Sequence, residues 1–106
     1  MKRPSKYGAQ RVEHDGHAFA SRKERDRYVE LKLMQRLGEI SDLKLQPRFP
    51  LTVAGFKVCT YVADFQYRDE LADVTVVEDV KGFRTDVYKL KSKLFHALHG
   101  FPVREV

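Results

Sequence analysis

Apolar residues recur at helical spacing in two stretches of this chain, and they alternate or cluster in the segments between. From Ser21 to about Leu37 the recurrence is Tyr28, Leu31, Met34 or Gln35, and Leu37. Gly38 is a natural stop, so the spacing predicts a helix there. Its opening, Ser21-Arg22-Lys23-Glu24, has the form of a capping box, with Ser21 as N-cap and Glu24 reaching back. Glu24, Tyr28 and Leu31 share one helical face, the face expected to meet a sheet. A second helix is predicted over "TDVYKLKSKLFHALHG". Thr85 or Asp86 serves as its N-cap, Val87, Leu90, Leu94 and Leu98 form its apolar stripe, and Gly100 ends it.

The other segments read as strands. "RVEHDGHAFAS" places the turn dipeptide Asp15-Gly16 between short alternating segments, a hairpin signal. "LKLQPRFPLTV" carries Pro47 and Pro50, which confine it to an edge strand or an extended segment. "FKVCTYVADFQY" is rich in β-branched and aromatic residues and reads as one strand. "RDELAD" is a turn, "VTVVEDVKG" a strand ended by Gly82, and "FPVREV" a last short strand. The order is hairpin, α, β, β, β, α, β. It predicts an α/β or α+β class, with a central meander flanked by helices. Residues 1–9 read as a flexible basic arm with Arg3 and Lys6, and residues 10–106 as a single domain.

Composition narrows the picture modestly. The chain has 106 residues, 42% of them hydrophobic and 33% charged, enough for one compact domain. Twenty Lys and Arg against fifteen Asp and Glu give a net charge of +5, which favours an anionic partner. The single cysteine, Cys59, excludes an internal disulfide and a multi-thiolate metal site, and it reads as a buried, inert thiol. That usage fits the cytosol. No apolar stretch follows the basic start, so no signal peptide is expected, and no run reaches the length of a spanning helix.

The acids in "YVADF" and "VVEDVKG" change the picture most. If the two strands form a hairpin whose loop centres on Leu71 and Ala72, Asp64 lies directly opposite Asp79. Opposed residues point to the same face, where two carboxylates repel. A shared proton or a cation relieves that repulsion. Alternation puts Lys81 on the side of Asp79 and sends Glu78 to the other. Two acids and an amine then converge near the strand ends, a set suited to Mg²⁺ or Mn²⁺ and a phosphate. Read as local spacing alone, Asp79 and Lys81 form an ordinary strand-edge ion pair.

The acid on one strand followed by acid-x-Lys on the next resembles the PD-(D/E)XK nuclease superfamily. Asp64 matches its first acid, Asp79 its second and Lys81 its lysine. Ala63 stands where that pattern usually has proline. The resemblance implies a restriction-endonuclease-like α-β-β-β-α-β core with a mixed sheet. It also implies a glutamate from the first helix at the metal, which Glu24 matches, and a contribution from the Val80 carbonyl. On "FASRKERDRYVELKLMQRLGEISDLKLQPRFPL", "YVADFQYRD", "VVEDVKG" and "YKLKSKLF" the chain is similar to a family of small phage- and prophage-encoded, endonuclease-like proteins catalogued as a domain of unknown function.

The function so implied is Mg²⁺-dependent endonucleolytic hydrolysis of DNA, structure-selective or weakly sequence-specific, nicking or junction-resolving. Asp64, Asp79, Glu24 and Val80 would hold the metal, and Lys81 would assist the attacking water. Arg22, Lys23, Arg25 and Arg27 form a basic shoulder on the first turns of the first helix. Of these, Arg22 and Lys23, with Arg3 and Lys6 of the arm and Lys91 of the second helix, are the candidate DNA contacts. The expected partners are DNA, a second copy of the chain, and phage replication or recombination proteins, with no membrane, in the cytoplasm of a host cell. The alternative is a non-catalytic nucleic-acid-binding or assembly protein on the same scaffold. His14, His17, His96 and His99 read as surface or cap residues.

Overall fold

A computed structural model describes residues 11–106. The expected basic arm, with Arg3 and Lys6, lies outside the described residues. The chain folds as a mixed α+β structure with two helices and several small sheets. Strands β1 (Val12–His14) and β2 (His17–Phe19) form the expected hairpin, with Asp15 and Gly16 both at positive φ, as its tight turn requires. Helix α1 (Arg22–Arg36) follows. The Ser21 side chain accepts the Glu24 N–H at 3.1 Å, and Glu24, Tyr28 and Leu31 are its buried residues. Phe19 of the hairpin packs on Tyr28, with ring centroids 5.1 Å apart.

The two long strand segments each break once. The first gives β3 (Ile40–Leu45) and β4 (Arg48–Val53), the second β5 (Phe56–Val62) and β6 (Phe65–Asp69). Gln46 takes a positive φ of 49° and Pro47 has no N–H to give, so the ladder cannot continue through them. The facing break falls at Ala63 and Asp64. Two hydrogen bonds tie the breaks together, Gln46 N–H to the Asp64 carbonyl at 2.9 Å and Ala63 N–H to the Pro47 carbonyl at 3.1 Å. The ribbon therefore splits into a β4–β5 hairpin and a β3–β6 pair, and Asp64 stands at the split.

Strand β7 (Val74–Asp79) pairs antiparallel with β6, and β8 (Arg104–Glu105) joins β7 in parallel, giving a mixed sheet in the order β3-β6-β7-β8. Phe65 pairs with Glu78 and Gln66 with Val77, the register that brings Asp64 opposite Asp79. β7 ends at Asp79, earlier than the glycine-terminated strand the sequence predicts. One sheet face packs Phe65, Tyr67 and Val76 against Tyr28 and Leu31 of α1. A second cluster gathers Val77, Tyr61, Leu51 and Val103 around Phe95 of helix α2 (Asp86–His99).

Helix α2 has the expected ends: Thr85 caps it, accepting the Tyr88 N–H, and Gly100 closes it at φ 82°. Its buried face is not the expected stripe. Val87 is 61% and Leu90 69% exposed, and Leu98 is exposed too, whereas Phe95 is fully buried and Tyr88 and Leu94 pack partly against the core. The aromatic rings decide the rotation. Phe95 meets Phe49 at 5.0 Å and Tyr61 at 5.7 Å, and seating two rings in the core removes more apolar area from water than seating the leucines.

Candidate functional site

The split in the ribbon and the end of β7 leave a cleft beside the first turn of α1. It has a volume of about 660 Å³, and its walls include Glu24, Lys23, Asp64, Val80, Lys81 and Phe83. Asp79 lies beneath it, fully buried. Four residues expected at the site thus meet at one cleft, with the fifth just under its floor.

Each acid is held differently. Asp64 accepts the Val80 N–H through Oδ2 at 2.7 Å. Asp79 accepts the Asp64 N–H through Oδ1 at 3.0 Å and the Tyr61 hydroxyl through Oδ2. Glu24 reaches back through Oε2 to the Ala20 N–H at 3.3 Å, so it caps the helix while it faces the cleft. Lys81 Nζ lies 3.9 Å from Asp79 Oδ1 and 4.3 Å from the centre of the Tyr88 ring. The amine is therefore bracketed by a buried anion and an aromatic face.

The electrostatics are those of crowded, poorly hydrated acids. Burial, then the nearby Asp64 charge, pushes Glu24 up to about 7. Burial raises Asp79 to about 6 against the pull of Lys81 and of the Asp64 N–H. Asp64 is also raised by burial, while the Val80 N–H and Lys81 oppose the rise. Negative charge in this cleft is under-compensated by the protein itself.

Glu78 has a different role from its neighbour. It is fully buried on the α1 side of the sheet and takes a two-pronged ion pair from Arg27, at 2.9 and 2.6 Å, plus the Tyr67 hydroxyl. Alternation correctly sends Glu78 to the other face. Its partner was not legible, because Arg27 lies 51 residues away on another element. Arg27 therefore leaves the expected basic shoulder, its fork committed to Glu78 and Glu30, and Arg25 pairs with Asp26 at 2.7 Å. Arg22 remains exposed, and Lys23 donates to the Lys81 carbonyl at 3.3 Å, closing the side of the cleft.

Lys91, expected as a DNA contact, does not line the cleft of the acids. Its amine donates to the Thr60 carbonyl on β5 at 3.0 Å, and its stem lines a separate apolar cleft with Val58, Cys59, Val87, Leu90 and Leu94. The rotation of α2 that buries Phe95 carries Lys91 to β5. Tyr61 and Tyr88, which touch the second acid and the lysine, had no signal in the sequence beyond their aromatic character.

The profile of a family described as "Protein of unknown function (DUF1064)" matches residues 4–102. The chain belongs to this family. No curated protein and no solved structure matches it. The DUF1064 description states no activity, so any chemistry has to be read from the cleft. Among the described residues, no helix of this DUF1064 member is long and apolar enough to cross a membrane.

A divalent cation can be tested against the donors. Their kind fits a hard cation, since Glu24, Asp64 and the Val80 carbonyl all offer oxygen. Glu24 Oε1 and Asp64 Oδ1 have no hydrogen-bond donor among the described residues, whereas both oxygens of Asp79 have one. Among the described residues no three Asp, Glu, His or Cys side chains stand together at ligand spacing. In this geometry the open donors are therefore Glu24 and Asp64, with Asp79 held behind them by Tyr61.

Proposed function

We propose that this chain is a metal-dependent DNA endonuclease of the PD-(D/E)XK kind. The observation that carries the reading is the meeting of Glu24, Asp64 and Lys81 at one cleft, directly over the buried Asp79. A purely structural hairpin has no reason to keep these acids crowded and raised in pKa by burial. The element order supports the same reading. With each split strand counted once, α1, three strands, α2 and β8 follow the restriction-endonuclease-like order.

Glu24 and Asp64, with the Val80 carbonyl and with Asp79 behind, would hold Mg²⁺ or Mn²⁺. Bound there, the ion supplies Lewis acidity toward a phosphate oxygen and water. Lys81 places its ammonium where charge develops on the phosphate, kept in position by Asp79 and the Tyr88 ring. Water adds to phosphorus, the bond to the 3′ oxygen breaks, and the products are a 5′-phosphate and a 3′-hydroxyl. Arg22 and Lys23 hold the backbone without reading bases. A phage or prophage origin, a dimer that cuts twice, and replication or recombination partners belong to the same proposal.

A second reading, a non-catalytic DNA-binding or assembly protein, is favoured by one observation. The Tyr61 hydroxyl occupies Asp79, a group that a working metal site would want open. Nicking of supercoiled and branched DNA with Mg²⁺ or Mn²⁺ separates the two. The enzyme reading expects cleavage by the wild type and its loss, by at least about a hundredfold, in Asp79→Asn and Lys81→Ala. A wild type that binds DNA but cuts no form sinks it. An Asp79→Asn variant that cuts as well as wild type sinks the site assignment.

A further inference from the structure

Helix α2 has two apolar faces, and the fold buries one. Phe95 turns to the core, whereas Val87, Leu90 and Leu98 stay 61%, 69% and 43% exposed. Strand β5 extends that outer surface. Leu51 pairs with Cys59 and Thr52 with Lys57, so Val58 is the extra residue of a β-bulge. Val58, 59% exposed, lines the apolar cleft together with Cys59, Val87, Leu90 and Leu94. The Lys91 ammonium is drawn off to the Thr60 carbonyl at 3.0 Å, which leaves its stem to line the same cleft. These side chains present about 400 Å² of contiguous apolar surface, a size at which a patch on a small protein commonly has a function.

We infer that this face is the interface between two copies of the chain, which meet through antiparallel α2 helices about a two-fold axis near Leu90. The surface gives a place to the dimer named with the nuclease reading, yet it stands without the chemistry of the acid cleft. A two-fold interface presents one patch twice, so a residue that meets a second is met by that second in return. About an axis at Leu90, Val87 of one copy falls beside Leu94 of the other. The same register sets Asp86 beside Lys93. These two stand two helical turns apart and are exposed, so they flank the stripe on one side. Within its own chain Asp86 meets Lys89 at 4.0 Å, the weak end of an ion pair. Apolar contact and charge complementarity therefore coincide in one register. With the polar rim included, the pair buries about 1,200 Å² in all, the lower end for a specific complex. Lys91 occupies the Thr60 carbonyl on β5, so the contact is made by side chains and not by strand addition there. The acid cleft shares no wall residue with this face, so both copies of it stay open in the dimer.

Sedimentation velocity on the full chain, without DNA and from about 1 to about 200 µM, tests the interface. The expected result is a monomer–dimer equilibrium with a Kd on the order of 10 µM. Leu90→Glu should be monomeric throughout with an unchanged circular dichroism spectrum, because the side chain it replaces is exposed. Asp86→Lys and Lys93→Asp should each weaken the dimer about tenfold. Both changes in one chain should restore Kd to within about threefold of wild type, since the pair re-forms with its signs exchanged. A wild type that is monomeric at about 200 µM overturns the inference and returns the stripe to a partner of different sequence. A dimer that Leu90→Glu leaves intact overturns it as well, as does a doubly exchanged variant no tighter than the single ones. A dimer that cuts no DNA leaves the inference standing and removes the nuclease reading. A monomer that cuts DNA does the reverse.

Discussion

Replacing Glu24 by glutamine should stabilise the protein at alkaline pH and leave it nearly unchanged in acid. Burial and the Asp64 charge raise the Glu24 carboxyl from 4.5 to about 7. In the folded state it therefore keeps a proton that the unfolded chain has already released. Its contribution to stability is fully present below about pH 4.5 and is lost as pH rises through about 7. Keeping Glu24 ionised above that range costs about 3 kcal/mol from the size of the rise, and about 2 kcal/mol is a working value for a group that opens on a cleft. Glutamine keeps an oxygen for the Ala20 N–H and removes the charge. Urea or thermal unfolding at about pH 4 and about pH 8.5, in EDTA, measures the difference. Glu24→Gln should match wild type within about 0.5 kcal/mol at the lower pH. At the higher pH it should exceed wild type by about 2 kcal/mol, or roughly 10 °C in Tm for a domain of this size. Adding Mg²⁺ at the higher pH should then raise wild type more than Glu24→Gln, because the ion binds only the folded, ionised cleft. A variant less stable than wild type at alkaline pH, or a difference that does not change with pH, would refute the electrostatic account of the cleft.

Three further outcomes follow from named contacts. Glu78→Gln should lower stability by about 3 kcal/mol by leaving the Arg27 guanidinium without its buried partner, read from urea midpoints. At temperatures where that variant stays folded, it should cut DNA far better than Asp79→Asn, and equal loss in both would contradict the two-faced placement of the adjacent acids. Tyr88→Phe should keep kcat within about twofold, whereas Tyr88→Leu should lower it about tenfold with KM little changed, because the ring face over Lys81 is retained in one and lost in the other. In a Lys81→Ala background the leucine change should cost nothing more in kcat, and a full further loss there would mean the ring acts only through packing.

The Asp15-Gly16 hairpin, the limits of α1 and α2, and the pairing of β6 with β7 were legible because each depends on residues close in the chain. Asx-rich turns, N-caps and period-two alternation act over a few residues, so the opposition of Asp64 and Asp79 could be derived by counting outward from Leu71 and Ala72. The inward face of α1 was legible for the same reason, since Glu24, Tyr28 and Leu31 repeat at the helix period.

Tertiary structure decided what that local code leaves degenerate. Helix α2 carries both a leucine stripe and an aromatic pair, and only the shape of the pocket around Tyr61 and Phe49 selects Phe95 over Leu90 for burial. That rotation, in turn, sends Lys91 to the Thr60 carbonyl and puts the Tyr88 ring under Lys81. The breaks at Gln46-Pro47 and Ala63-Asp64 form as a pair, each bonded to the other across the ribbon, so neither half of the sequence announces them alone. Glu78 finds Arg27, and Asp79 finds Tyr61, across 51 and 18 residues. Sequence by itself determined which acids lie at the strand ends and which way each one points. The packing of α1 on the β3-β6-β7-β8 sheet, and of Tyr61 from the β4–β5 hairpin against Val77 and Phe95, decided their partners, because a buried charge is settled by whichever donor the fold delivers to it.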